Sequence, residues 1–253
     1  MKQLGDALMN CLGNMGEKSW TWILNDMGII SPENEIARKD VNYYFRAIKQ
    51  DMPQMLAKIL TADSMYKNNI LELLKIWKLQ PSKLAEKTKG ETKISIKNAI
   101  LKAQRNQAID QAPENNKEAA QKMARDPSIP IYVTIKVQEK HALLLVEHRV
   151  KYIYLQPGHC HLCSTKEAHT AYHSYANCNS DIATAARKLA LRSLTNKYEH
   201  LTHYITHPTE EKLQKMLGVQ RRPKLPEKQQ AAITEALLEI LSLQPHAARQ
   251  LMQ

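Results

Sequence analysis

Cys160-x-x-Cys163, followed by His173 and Cys178, is the pattern with the plainest chemistry in this 253-residue chain. Two thiols on a tight turn can point at one ion. A His and a Cys five positions apart at the end of a helix can reach the same ion once the last turn loosens. Three thiolates and one imidazole suit a closed tetrahedral zinc site of the Cys3His kind. The stretch Pro157 to Ser180 holds three of the four cysteines and four of the ten histidines, so His159, His161 and His169 compete with His173 for the fourth position. Catalytic zinc keeps an open position beside a glutamate, often within His-Glu-x-x-His or His-x-Glu. Neither pattern occurs, and Glu167 is the single carboxylate between Cys160 and Cys178. The expectation is one structural zinc ion and no catalytic residue.

A second stretch carries charge rather than ligands. Pro81 to Thr88 predicts a short helix, Lys89 to Thr92 a turn around Gly90, and Lys93 to Arg105 a longer helix, the layout of a helix-turn-helix over 81–105. The usual alanine-to-glycine spacing is four, whereas Ala85 to Gly90 is five, so the turn must carry one extra residue. On the second helix Lys93, Lys97 and Asn98 are expected to face outward, with Ile96, Ala99 and Ile100 inward. Lys87, Lys89, Lys93 and Lys97 suit phosphates, and Asn98 suits a base edge because an amide can bond adenine twice. Further on, Gln220 to Pro226 is a stiff basic arm whose Arg221, Arg222 and Lys224 could follow phosphates or enter a minor groove. His200, His203 and His207, at spacings of three and four, form a weaker candidate metal face.

The elements that must position these residues read as mainly α. Residues 1–110 predict a helical domain: Cys11 sits in a first apolar stripe, Trp20 and Trp22 serve as core or as a stacking surface for bases, Gly28 ends a helix, and Ser31-Pro32 opens the next. Residues 111–128 predict a polar, alanine-rich linker. Residues 129–253 predict a zinc-stabilised α+β domain: Ile131, Val133, Ile135 and Val137 alternate with polar residues as a strand, Ala142 to Glu147 and Val150 to Leu155 follow, and this small antiparallel β-meander leads into a zinc knuckle at 157–180. Ser180 and Thr209 read as helix caps, Gly218 as a helix stop, and Glu227 to Leu243 as a packing or dimerisation helix.

Composition narrows the partners. The net charge is +11, and its distribution is uneven: residues 64–125 hold 13 Lys and Arg against 6 Asp and Glu, while residues 1–63 are close to neutral. Clustered cations are the footprint of a polyanion. There is no apolar run of membrane-spanning length and no amphipathic helix suited to a lipid surface, so no membrane role is expected. Few, clustered cysteines and the absence of a secretory h-region point to a reducing cytoplasmic setting. The sequence thus predicts a zinc-containing nucleic-acid-binding regulator, DNA preferred over RNA, of the mobile-element or phage transcription-regulator or antiterminator type, with RNA polymerase or another protein as a further partner. Alternatives are a zinc-dependent nuclease using His159, His161 or His169 with Glu147 or Glu167, and a protein-binding adaptor with structural zinc.

Overall fold

The structure is a computed structural model that describes residues 17–62, 64–154, 159–160, 162–163, 165, 167–168, 170–219 and 225–250. Its helices run in order α1 (Glu17–Asp26), α2 (Pro32–Ile48), α3 (Gln54–Ala62), α4 (Ser64–Ile76), α5 (Pro81–Ala85), α6 (Lys89–Asp110), α7 (Lys117–Met123), α8 (Ile131–Ile135), α9 (Glu139–Tyr154), a π turn (His173–Asn177), α10 (Asp181–Tyr198), α11 (His203–Thr206), α12 (Glu210–Met216) and α13 (Glu227–Gln250). The starts follow from side chains that cap free N–H groups. Ser31 accepts from the Asn34 N–H at 3.3 Å with Pro32 at the first position, Ser180 accepts from Ala183 at 3.2 Å, and Thr209 accepts from Lys212 at 3.2 Å. Gly28 and Gly218 end their helices at φ of 63° and 69°, where a Cβ would stand 2.4 Å from the Pro127 oxygen and from Ile135 Cδ1 respectively. No described helix is long and apolar enough to cross a membrane.

The apolar side chains form two main clusters. Val41, Phe45, Ile70, Leu74, Trp77, Ile96 and Ile100 join α2, α4 and the first half of α6. A larger cluster takes Trp22 and Ile23 from α1 and Ala108 from the far end of α6, and combines them with α7 to α13. The apolar packing therefore does not divide at 111–128: α1 belongs with the C-terminal helices, and α7, inside that segment, buries Ala120 and Met123 completely. At 22 residues α6 is long enough, about 33 Å, to serve both clusters. Gln104 marks the join: its Oε1 accepts from the Ser31 N–H at 3.0 Å and its Nε2 donates to the Ile29 carbonyl at 3.1 Å. Trp22 is a core residue, edge-on to Tyr154 at 6.2 Å, and offers no face for stacking.

The β-meander and the α+β domain are not found. Ile131–Ile135 and Glu139–Tyr154 are helices, and the described residues contain no strand, only a single antiparallel bridge between His159 and Ala168. Both periods were present in the residues, and the buried positions decide between them. Ala142, Leu145, Val146, Arg149, Val150 and Ile153 are all buried, at steps of three and one, which is one stripe of a helix. Ile131 and Ile135, four apart, are fully buried, while Val133 between them is 48% exposed and breaks the alternation. Pro130 supplies the carbonyl that starts the short helix, and Lys136 ends it at a left-handed φ of 54°. The predicted turn at Lys89 to Thr92 is also helical. Thr88 caps α6 in a reciprocal capping box with Glu91, so Gly90 lies in the first turn of the helix, and the bend after α5 falls at residues 86–88.

Arg149 holds the larger cluster together. Its guanidinium is fully buried and bonds Asp26 from Nε at 2.6 Å and from Nη2 at 3.2 Å, the Met123 carbonyl at 2.7 Å, and the carbonyls of Leu217 and Gly218 at 2.7 and 3.2 Å. All five guanidinium donors have acceptors, which is the condition for burying such a charge. Asp26→Ala should therefore lower stability by about 3–5 kcal/mol, whereas the paired change Asp26→Leu with Arg149→Met should cost clearly less. Urea melts of the three proteins check this, and a double variant as unstable as the single one would contradict it. His148, on the same helix, is pushed down to about 4 by burial and by Lys151, with Glu147 opposing. The unfolded imidazole, near 6.5, then binds its proton first. Stability should fall as pH drops from 6.5 toward 4 by up to about 3 kcal/mol, and His148→Phe should flatten that slope.

Candidate metal centre

The chain enters the centre through the bridge of His159 with Ala168, where the Cys160 N–H donates to the Glu167 carbonyl at 2.8 Å and closes the loop that carries Cys163. It leaves through the π turn. Thr170 prepares that turn by accepting from the His173 N–H at 2.9 Å through Oγ1 and from Ser174 through its carbonyl. The Cys178 N–H then donates to the His173 carbonyl at 2.6 Å, an i to i+5 closure in place of the α-helical i to i+4. This wider turn brings residues five apart to the same side. Arg187 of α10 fastens it from behind, donating to the carbonyls of Ser174 at 3.2 Å and Cys178 at 2.5 Å.

The result is a four-residue cluster: Cys160, Cys163, His173 and Cys178 each offer one ligand atom, all within 4.8 Å of one another. Cys160 Sγ and Cys178 Sγ are 3.9 Å apart, and Cys163 Sγ is 3.2 Å from His173 Nε2. A tetrahedral ion with metal–sulfur bonds of about 2.3 Å separates its sulfurs by about 3.8 Å, so the donor set fits one such ion. Burial pushes the Cys160 thiol up, whereas Thr165, by its hydroxyl and its backbone N–H, holds Cys163 down at about 6. Cys178 lies next to Ser180, the cap of the 18-residue α10, with its Sγ 3.3 Å from the Ser180 hydroxyl. Cys160 and Cys178 with Ala183 form a small apolar cluster of their own, separate from the two main ones.

Glu167 is the contributor whose place the spacing of Cys and His did not give. Its Oε2 lies 2.7 Å from His173 Nδ1, which suits the tautomer whose Nδ1–H donates to the carboxylate and whose Nε2 faces Cys163 Sγ. The available signal was that Glu167 is the one acid in the stretch; its role is to orient a ligand. Glu147, the other acid named for a nuclease, pairs with Lys151 on α9. His159 is exposed at the bridge, and His161 and His169 lie outside the described residues. His200, His203 and His207 are exposed on a broken stretch of helix, and among the described residues the Cys3His group is the one set of donors close enough to hold a metal.

The predicted nucleic-acid residues fall in several places. Lys89, Lys93 and Lys97, at steps of four, form one exposed stripe of α6, although Lys89 is ion-paired with Asp51 at 2.8 Å. Lys87 precedes the helix, with its Nζ 2.7 Å from Ser95 Oγ. Asn98 is exposed but lies about 100° around the helix from Lys97, on a stripe shared with Lys102 and Arg105. Arg221, Arg222 and Lys224 lie outside the described residues. No protein-family model, curated protein or solved structure matches the chain, so likeness adds nothing to the reading of the site.

Because the three cysteines lie outside the larger apolar cluster while Tyr175 belongs to it, chelation or Cys163→Ser should speed hydrogen exchange at Cys160 far more than at Tyr175, while most helical circular dichroism persists. Glu167→Gln should keep one metal per chain and weaken its binding about 10–100-fold in a competition titration with a chromophoric chelator. Unchanged affinity would remove Glu167 from the centre.

Proposed function

We propose that the chain is a zinc-containing nucleic-acid-binding regulatory protein that contacts DNA through α6. The metal would be zinc, on the argument that three thiolates and an imidazole at tetrahedral spacing suit this ion better than hard cations. Its role would be structural, since four protein donors fill the coordination sphere. The observation that carries the nucleic-acid reading is the exposed stripe of Lys93 and Lys97 on a helix within a segment that holds a large excess of cations. In this reading the lysines meet phosphates and Asn98 meets a base edge. Regulation, with RNA polymerase or another protein as a further partner, is the reading for a binding protein whose zinc holds structure. A protein-binding role gains separate support from exposed Met55, Leu56 and Ile59 on α3, because apolar side chains grouped on one short helix favour contact with another protein.

Labelled duplex and single-stranded oligonucleotides, titrated at several salt concentrations, test this reading. Binding should weaken steeply with salt. Lys93→Ala and Lys97→Ala should each weaken it several-fold on every sequence, and Asn98→Ala should change which sequence is preferred. Absence of salt-sensitive binding to either form would turn the reading toward the protein adaptor.

A further inference from the structure

Around α6 from the lysine stripe, on the face that carries Asn98, a cleft of about 570 Å³ opens between the helix and the segment from Ala124 to Thr134. Asn98, Lys102 and Arg105 line it from the helix at steps of four and three, and Arg125 lines it from the facing segment. The Nε atoms of Arg105 and Arg125 are both buried and without a hydrogen-bond partner, and among the described residues neither guanidinium forms an ion pair. Arg125 uses one Nη2 donor on the Gly218 carbonyl. Its charge is uncomfortable, held down at about 10 by burial and by Arg149 behind it. Asp26 is bound by Arg149, and Asp126, the carboxylate in the cleft wall, accepts from the Ser128 N–H at 3.0 Å and hydroxyl at 2.7 Å on Oδ1; Ser128 chiefly, and the Arg105 charge in smaller part, hold its carboxyl below the usual range, without an ion pair to Arg105. Two half-buried arginines whose Nε donors are out of water and unbonded are costly to hold together, and a docked anion recovers part of that cost.

We infer that this cleft is a phosphate seat, in which Arg105, Arg125 and Lys102 hold one phosphate group. Arginine suits the task because its planar fork meets two phosphate oxygens at once. The expected source is a phosphodiester of a nucleic-acid strand, since Asn98 stands on the same stripe and would face the adjoining base. This choice of source rests on the nucleic-acid reading above, whereas the seat does not. A free phosphate compound, such as a nucleoside monophosphate, offers the same chemistry.

Arg105→Gln is the discriminating variant, because Arg105 Nε has no hydrogen-bond partner and its charge acts on Asp126 only as a minor influence, so its loss should leave the fold intact, which a thermal melt verifies. Lys102→Gln is its companion. Both are compared with Lys93→Ala in titrations with a labelled duplex, with AMP and with inorganic phosphate. For a strand, Arg105→Gln should weaken duplex binding about tenfold and reduce the slope of log affinity against log salt by about one. If AMP or phosphate binds the unaltered protein and is lost in Arg105→Gln while duplex binding is unchanged or absent, the seat stands and takes a free phosphate compound. Should Lys93→Ala weaken duplex binding while the Arg105 and Lys102 variants alter no titration, the seat is overturned and the nucleic-acid reading survives. If no variant alters any titration, both fall.

Discussion

The burial of the Arg149 guanidinium is the constraint around which the larger cluster is arranged. A charge taken wholly out of water must find all its partners inside the protein. Here one carboxylate and three backbone carbonyls supply them, from three parts of the chain: the end of α1, the end of α7 and the turn after α12, which gives two of the carbonyls. The carbonyls at helix ends are the ones that lack partners within their own helices. One side chain therefore satisfies several helix ends and fixes how they converge. Gly218 belongs to the same arrangement, since its left-handed φ turns its carbonyl toward Arg149 and leaves no room for a Cβ beside Ile135.

The metal centre has the opposite character. It stands apart from the large apolar cluster, and its geometry is set by local turns: a bridge that closes one loop, a widened turn that stacks His173 with Cys178, and Arg187 behind that turn. Its donors come from two ends of unlike support: Tyr175 anchors the His173–Cys178 end in the large cluster, whereas Cys160 and Cys163 have no member of that cluster beside them among the described residues. A bound ion would there replace the packing that the second end cannot supply, in the way cross-links stabilise small loop-rich regions.

Features set by short spacings were legible in the sequence. Ser31, Ser180 and Thr209 announce helix starts, Gly28 and Gly218 announce helix ends, and Cys160, Cys163, His173 and Cys178 can be picked out because thiols and imidazoles are few. What failed is instructive. From Ile131 to Tyr154 apolar residues are dense enough to satisfy both a two-residue and a 3.6-residue period, and only the burial of Ala142, Leu145, Arg149 and Ile153 on one stripe selects the helix. The burial of Arg149 has no local sign in the sequence, because its partner Asp26 is 123 positions away. Asn98 was grouped with Lys97 by adjacency in sequence, although adjacent residues on a helix face directions about 100° apart. That Arg105 and Arg125 line one cleft is equally invisible without the fold.

The π turn stores the ligand spacing as one additional residue within a helical stretch. Shortening it by a single codon, at Ala176 or Asn177, would return the segment to α-helical winding and swing Cys178 away from His173, with every cysteine and histidine still encoded. Among descendants of this gene, loss of the four-donor cluster would therefore be recorded as a gap of one position in a comparison of sequences, with none of its cysteines or its histidine substituted.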